Sequence, residues 1–232
     1  MPRVVHIIGN GDSSLLYEAE PRKGLKLGCN RIGFPVPDMF ASCIVDYKFM
    51  QAMTNKEIDL PGQWILGFRP KHWMEMNPEY YMRVSHQVKE FYTELPKYAA
   101  NYTDFNCGHM ATHYAANKLK ADVIHMYGFD SIFDFNLKSG TDFSLSSDRG
   151  GANNLRLADN WRPIWQHMFR EFSDTKFVLH YLHDKLKINI DNNVEVKMYD
   201  MSHKKQNLSF DQFYRGFSMI VGKSTKINSG CM

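Results

Sequence analysis

Cysteine is scarce in this chain, and so is any excess of charge of one sign. Four thiols, Cys29, Cys43, Cys107 and Cys231, are scattered over 232 residues with neither a Cys-x-x-Cys pair nor zinc-ligand spacing. That excludes a disulfide-stapled secreted scaffold and a thioredoxin-like redox motif, and the thiols are expected to be reduced. Lys and Arg number 28 against 25 Asp and Glu, a net charge of only +3, spread along the chain. Nucleic-acid binding requires a clustered basic face, so no nucleic-acid partner is expected. No apolar run approaches the roughly 20 residues that span a bilayer. The apolar core of MPRVVHIIGNG is too short for a signal peptide. The expectation is a cytoplasmic protein with no transmembrane segment. Repeats and low-complexity tracts are missing as well.

What remains is the material of a well-filled core. Apolar residues make up 44% of the chain and aromatics 14%, enough for one domain of this length to fold without staples. Short apolar runs at Val4–Ile8, Lys26–Cys29, Ser42–Val45, Trp64–Phe68, Val123–Tyr127 and Lys176–Leu179 read as buried strands. Helical periodicity predicts helices over Tyr47–Met53, Glu79–Leu95, Gly108–Leu119 and Trp161–Phe172, the last with Pro163 in its first turn. Strands alternating with helices predict a single α/β domain over 1–232, Rossmann-like, with a mainly parallel sheet covered on both faces. Two segments break the rhythm. Residues 131–160 are polar and rich in Gly, Ser and Asp, which predicts a lid, and a C-terminal helical tail is expected over about 209–232.

The most telling stretch is HIIGNGDSS, His6 to Ser14. A strand that ends in Gly9-Asn10-Gly11 before a helix presents N–H groups at the carboxyl edge of the sheet, where open α/β folds take anionic ligands. Gly9 and Gly11 would let the backbone approach a phosphate closely, and Asp12 or Ser13 would cap the helix. The dinucleotide fingerprint needs a third glycine, and Ser14 stands in its place. Three other motifs fail on spacing. Gly222–Thr225 lacks the upstream glycine of a P-loop, because Phe217 occupies that position. His109 and His113 share a helical face but have Met110 where a zincin has Glu. His180 and His183 read as a surface or half-buried pair.

Four segments together resemble the bacterial family 42 sialyltransferases: GNGDSS at Gly9–Ser14, GCN at Gly28–Asn30, and NCGH at Asn106–His109 running on to GFD at Gly128–Asp130. The same skeleton is similar to the archaeal-type 6-hydroxymethylpterin pyrophosphokinases. The resemblance covers about the first 130 residues and rests on order and spacing. It implies a nucleotide at the carboxyl ends of the strands. Gly9, Asn10, Gly11 and Ser13 would line its phosphate side, Asn30 would reach ribose or phosphate, and Asn106, Cys107 and Gly108 would meet it at a helix start. Cys107 stands where that family has Ser, and a thiol is the weaker donor.

The pattern departs after Asp130. The sialyltransferases take a general base from a loop about thirty residues further on, and this window holds Asn153, Asn154, Arg156, Arg162 and His167. Arg162 cannot act as a base, because its guanidinium stays protonated, but it can clamp a phosphate. The leading expectation is therefore a nucleotide-sugar-dependent glycosyltransferase, with Asp130 or His167 as base and an unknown acceptor. One alternative is a Mg²⁺-dependent phosphotransferase or pyrophosphokinase with Asp46 and Asp130 on the metal. The other is a non-catalytic nucleotide- or protein-binding relative that has lost the base.

Overall fold

A computed structural model describes residues 2–132, 160–182 and 191–199. The predicted lid falls almost entirely outside these residues, as do the C-terminal tail, the Gly222–Thr225 motif, Asn153, Asn154, Arg156, His183 and Cys231.

Strands β1 (Val4–Ile8), β2 (Leu25–Cys29), β3 (Ala41–Ile44), β4 (Trp64–Leu66) and β5 (Val88–Phe91) lie in the first half of the chain. Strands β6 (Val123–Tyr127), β7 (Lys176–Tyr181) and β8 (Val194–Met198) follow. They form one eight-stranded sheet in the order β5-β4-β3-β2-β1-β6-β7-β8, parallel throughout. The chain builds outward from β1 to one edge, returns, and builds outward to the other. The fold is thus a doubly wound, Rossmann-like α/β sheet whose switch point lies between β1 and β6.

The connecting helices are α1 (Leu15–Ala19), α2 (Tyr47–Thr54), α3 (Phe68–Met76), α4 (Pro78–Val84), α5 (Cys107–His113) and α6 (Arg162–Glu171). A 3₁₀ turn, Asp12–Ser14, leads into α1, and a π-helical turn, Tyr114–Lys118, continues α5. Successive side chains point to opposite faces of the sheet, as a pleat requires, and both faces are covered. Val5, Ile7, Leu27, Cys29, Cys43, Ile124, Met126 and Leu179 face α5 and α6, with Met110, Trp165 and Phe169 in the same core. Ile44, Trp64 and Leu66 point the other way, onto Phe49, Met50 and Met74. Each of these large apolar side chains contributes about 1.5–3 kcal/mol by leaving water.

Three sequence expectations need correction. The helix expected over Glu79–Leu95 stops at Val84, and Val88–Phe91 is an edge strand. Its Lys89 and Glu90 blur the period-two pattern, and charge is what an edge strand carries to discourage further pairing. Phe68 opens α3 instead of closing β4. β8 was not expected at all: Val194 and Val196 alternate with Glu195 and Lys197 over only five residues, too short a signal to separate from loop.

Candidate functional site

The switch point is a clasp between two glycine turns. Gly9 N–H donates to the Tyr127 carbonyl at 2.7 Å and Gly11 N–H to the Gly128 carbonyl at 3.0 Å. A side chain on Gly9 would meet the Gly128 oxygen at 2.6 Å, and one on Gly11 would strike the Asp130 carboxylate. Gly128 itself has φ +74°, a left-handed conformation that costs L-residues about 1–2 kcal/mol. The glycines at Gly9 and Gly11 thus bring two backbones together, where the sequence reading reserved that space for a phosphate.

Asp130 completes the clasp. Its carboxylate is buried and accepts from the Ser13 hydroxyl and, at 3.0 Å, from the Ser13 N–H. Ser13 Oγ in turn accepts the Leu182 N–H at 3.1 Å, which ties in the end of β7. The expected cap from Asp12 or Ser13 side chains is thus replaced by a carboxylate delivered from across the sheet, and a negative charge at those N–H groups is favourable. The first turn after β1 therefore already holds its anion, and that anion is Asp130.

One strand over, the carboxyl edge is polar, with Asn30 and Cys107 buried and Asp46 partly exposed. Asn10 Nδ2 donates to the Cys29 carbonyl at 2.6 Å, joining the first turn to the end of β2. Asn30 follows β2 at φ 55°, a conformation Asn tolerates better than most residues. Its Oδ1 accepts from the Cys107 thiol at 3.0 Å, and Asp46 Oδ2 lies 4.0 Å from the same sulfur. Asp46 also faces the Arg69 guanidinium at 3.6 Å, with 40% of its side chain exposed. Arg69 is held over the Tyr47 ring, 5.2 Å from its centroid. Three of the sequence-predicted residues, Asn30, Asp46 and Cys107, therefore converge from the ends of β2, β3 and the start of α5.

Arg69 was missed. Its signal was present, since GFRP places a basic residue and a proline just after a strand and a glycine. Taking Phe68 into the strand hid it.

The remaining predicted residues have local duties. Asn106 caps α5: its Oδ1 accepts the His109 N–H at 2.9 Å, while His109 Nδ1 accepts the Asn106 N–H at 3.2 Å. A side chain on Gly108 would meet the Phe129 ring at 2.5 Å. Arg162 Nε donates to the Ile132 carbonyl at 3.2 Å, which brings the start of α6 to the loop after Asp130. His167 stacks on Tyr98, centroids 5.6 Å apart, in a cleft on the outer helical layer. Its neighbours there are not the switch-point residues, so Asp130 and His167 do not form a pair. Of the two expected metal ligands, Asp46 faces Cys107 and Arg69, and Asp130 accepts from Ser13. Among the described residues, no group of three His, Cys, Asp or Glu side chains is arranged to hold a metal ion.

The histidine motifs resolve separately. His109 is fully buried against Trp165, centroids 4.4 Å apart, and burial pushes its pKa down to about 3. His113, four residues on, hydrogen-bonds Tyr92 Oη through Nδ1 at 2.6 Å. His180 is buried, not a surface residue. Its Nε2 lies 3.0 Å from His125 Nδ1 and its Nδ1 lies 2.8 Å from Tyr199 Oη, on the sheet face opposite α5.

No family model, no curated protein and no solved structure matches this chain. No described helix is long and apolar enough to cross a membrane. The class defined by fold and edge is an α/β protein with a polar cluster at the carboxyl ends of its central strands.

Proposed function

We propose that the chain is a nucleotide-sugar-dependent glycosyltransferase with sialyltransferase-like architecture. The observation that carries this reading is the convergence of Asn30, Asp46 and Cys107, with Arg69 behind them, beside the switch point of a doubly wound sheet. Crevices at such edges are where this fold class takes its ligands. The order of the GNGDSS, GCN and NCGH segments supports the same assignment.

In this reading Asn10 and Asn30 meet the sugar hydroxyls and phosphate oxygens of the donor, and Arg162 offers a fixed positive charge to the leaving phosphate. The acceptor hydroxyl attacks the anomeric carbon, the bond from that carbon to the phosphate oxygen breaks, and the nucleotide leaves with the electron pair. The hydroxyl proton passes to a carboxylate. Asp46 suits that step better than Asp130, because Asp46 is reachable from solvent while Asp130 already accepts two hydrogen bonds from Ser13.

A thermal-shift screen with CMP, UDP, GDP, ADP and ATP, each with and without Mg²⁺, tests the reading. Saturation at a hundred times Kd adds about 2.7 kcal/mol of stability. Stabilisation by one nucleoside mono- or diphosphate without metal, lost in Asp46→Asn or Asn30→Ala, supports glycosyl transfer. ATP stabilisation only with Mg²⁺ replaces it with phosphoryl or pyrophosphoryl transfer. No shift with any nucleotide refutes both.

A further inference from the structure

A second cleft, of about 790 Å³, opens on the outer helical layer. It lies between the segment after β5, the end of α5 and the exposed side of α6, and Glu94, Tyr98, His113, Asn117, His167 and Glu171 line it. That volume is within the usual range for small-molecule pockets. The glycosyltransferase reading uses none of these residues except His167, whose expected role as base the geometry does not favour.

The two carboxylates are held by neutral donors. Asn117 Nδ2 donates to Glu94 Oε2 at 2.6 Å, and Tyr98 Oη donates to Glu171 Oε2 at 2.5 Å. Neither has a Lys or Arg within ion-pair distance among the described residues. Arg170 also lines the cleft, but it is bound to Asp191 at 3.2 Å, and Lys97 pairs with neither carboxylate.

Between them sits His113, with only 6% of its side chain exposed. Tyr92 Oη is 2.6 Å from its Nδ1, so with that hydroxyl donating the ring proton is on Nε2. Nε2 lies 3.8 Å from Glu171, beyond hydrogen-bonding reach. Burial holds this imidazole below its ordinary pKa, against the pull of both carboxylates, so near pH 7 it is no counter-ion for them.

The rings supply the rest. Tyr98 and His167 stack with an interplanar angle of 16°, a flat π surface beside Glu171. The π-helical turn Tyr114–Lys118 carries Asn117, and such turns are commonly retained at functional sites. Uncompensated carboxylates beside aromatic faces are the chemistry that recognises organic cations.

We propose that this cleft binds an aliphatic ammonium compound with two charged nitrogens, one at Glu94 and one at Glu171, its carbon chain lying along Tyr98 and His167. The proposal is independent of the nucleotide reading.

The test uses 1,4-diaminobutane and spermidine as probes, with n-butylamine as the single-charge control, in calorimetric titration of the full chain. The diamine is expected to bind at least tenfold more tightly than n-butylamine. Glu94→Gln and Glu171→Gln are each expected to weaken it tenfold or more, and Asp46→Asn to leave it unchanged. Chemical-shift mapping on the unmutated chain is expected to move Tyr98, Asn117 and His167, which keeps the test open if a variant misfolds. No binding at millimolar probe, unchanged affinity in both Gln variants, or shifts confined to other surfaces would each overturn the proposal.

Discussion

Two neighbouring parts of the same sheet edge have been built to opposite ends. At the β1/β6 switch point, two glycine turns touch backbone to backbone, and the buried Asp130 carboxylate satisfies Ser13. At the ends of β2 and β3, Asn30, Cys107, Asp46 and Arg69 form a looser set, with Asp46 two-fifths exposed. The first is stabilised by its own contacts and leaves little for a ligand. The second keeps Asn30 and Cys107 buried at hydrogen-bonding distance and turns Asp46 toward solvent. A glycine-rich turn at a strand end is therefore not by itself a phosphate cradle. What matters is whether its N–H groups are already occupied.

The contrast makes distinct demands on mutants. Gly128→Ala should have the largest effect, because it combines a left-handed φ with a side chain 2.9 Å from the Gly9 backbone. A loss of about 3 kcal/mol is expected from strain plus overpacking, read from urea midpoints at unchanged slope. A loss under about 1 kcal/mol would mean that the clasp yields easily.

Asp130→Asn comes next. It sets an amide N–H₂ or a weaker acceptor against Ser13, and about 2 kcal/mol should be lost. Ser13→Ala should be strongly non-additive with it in a double-mutant cycle, and additivity would uncouple the two residues.

Acid should weaken the layers on both sides of the sheet. Burial lowers His109 to about 3, His125 to about 4 and His180 to about 3. The unfolded chain takes these protons near pH 6.5 and the folded chain only near 3–4, so the unfolded state binds more protons across that window. Stability should be flat above pH 6.5 on their account and fall as pH drops from 6.5 toward 4. His109, which is fully buried, contributes about 1.4 kcal/mol per pH unit. Urea midpoints that stay level from pH 7 to 5 would contradict this.

Asp46→Asn should have the smallest effect on stability, under about 1 kcal/mol for a half-exposed ion pair, yet it should abolish transfer or cut nucleotide affinity tenfold. A large stability loss with affinity intact would make the β2/β3 edge as structural as the clasp.

Local pattern alone made much of this molecule legible. Mostly apolar runs of four or five residues marked β1, β2, β3, β4, β6 and β7, because strands buried on both faces are largely apolar. Pro163 placed the start of α6 for a similarly local reason: proline is tolerated only in a first turn. The two edge strands were illegible, since an edge carries charge and needs less apolar surface. Strand ends alone brought Asn30, Asp46 and Asp130 to one edge, because in a parallel sheet every strand end followed by a helix lies on the same side; Cys107 came to that edge through the family resemblance.

Other properties rested on contacts between residues far apart in the chain. That Gly9 answers to Gly128, and Ser13 to Asp130 across 117 positions, follows only from β1 lying beside β6. Arg69 reaches Asp46 because β4 lies beside β3, and His167 is taken from the edge because α6 carries it against Tyr98. A local pattern reports which residues avoid water and where the chain turns. Which polar group spends its hydrogen bonds on a partner, and which keeps them for a ligand, is decided by neighbours that only the tertiary fold supplies.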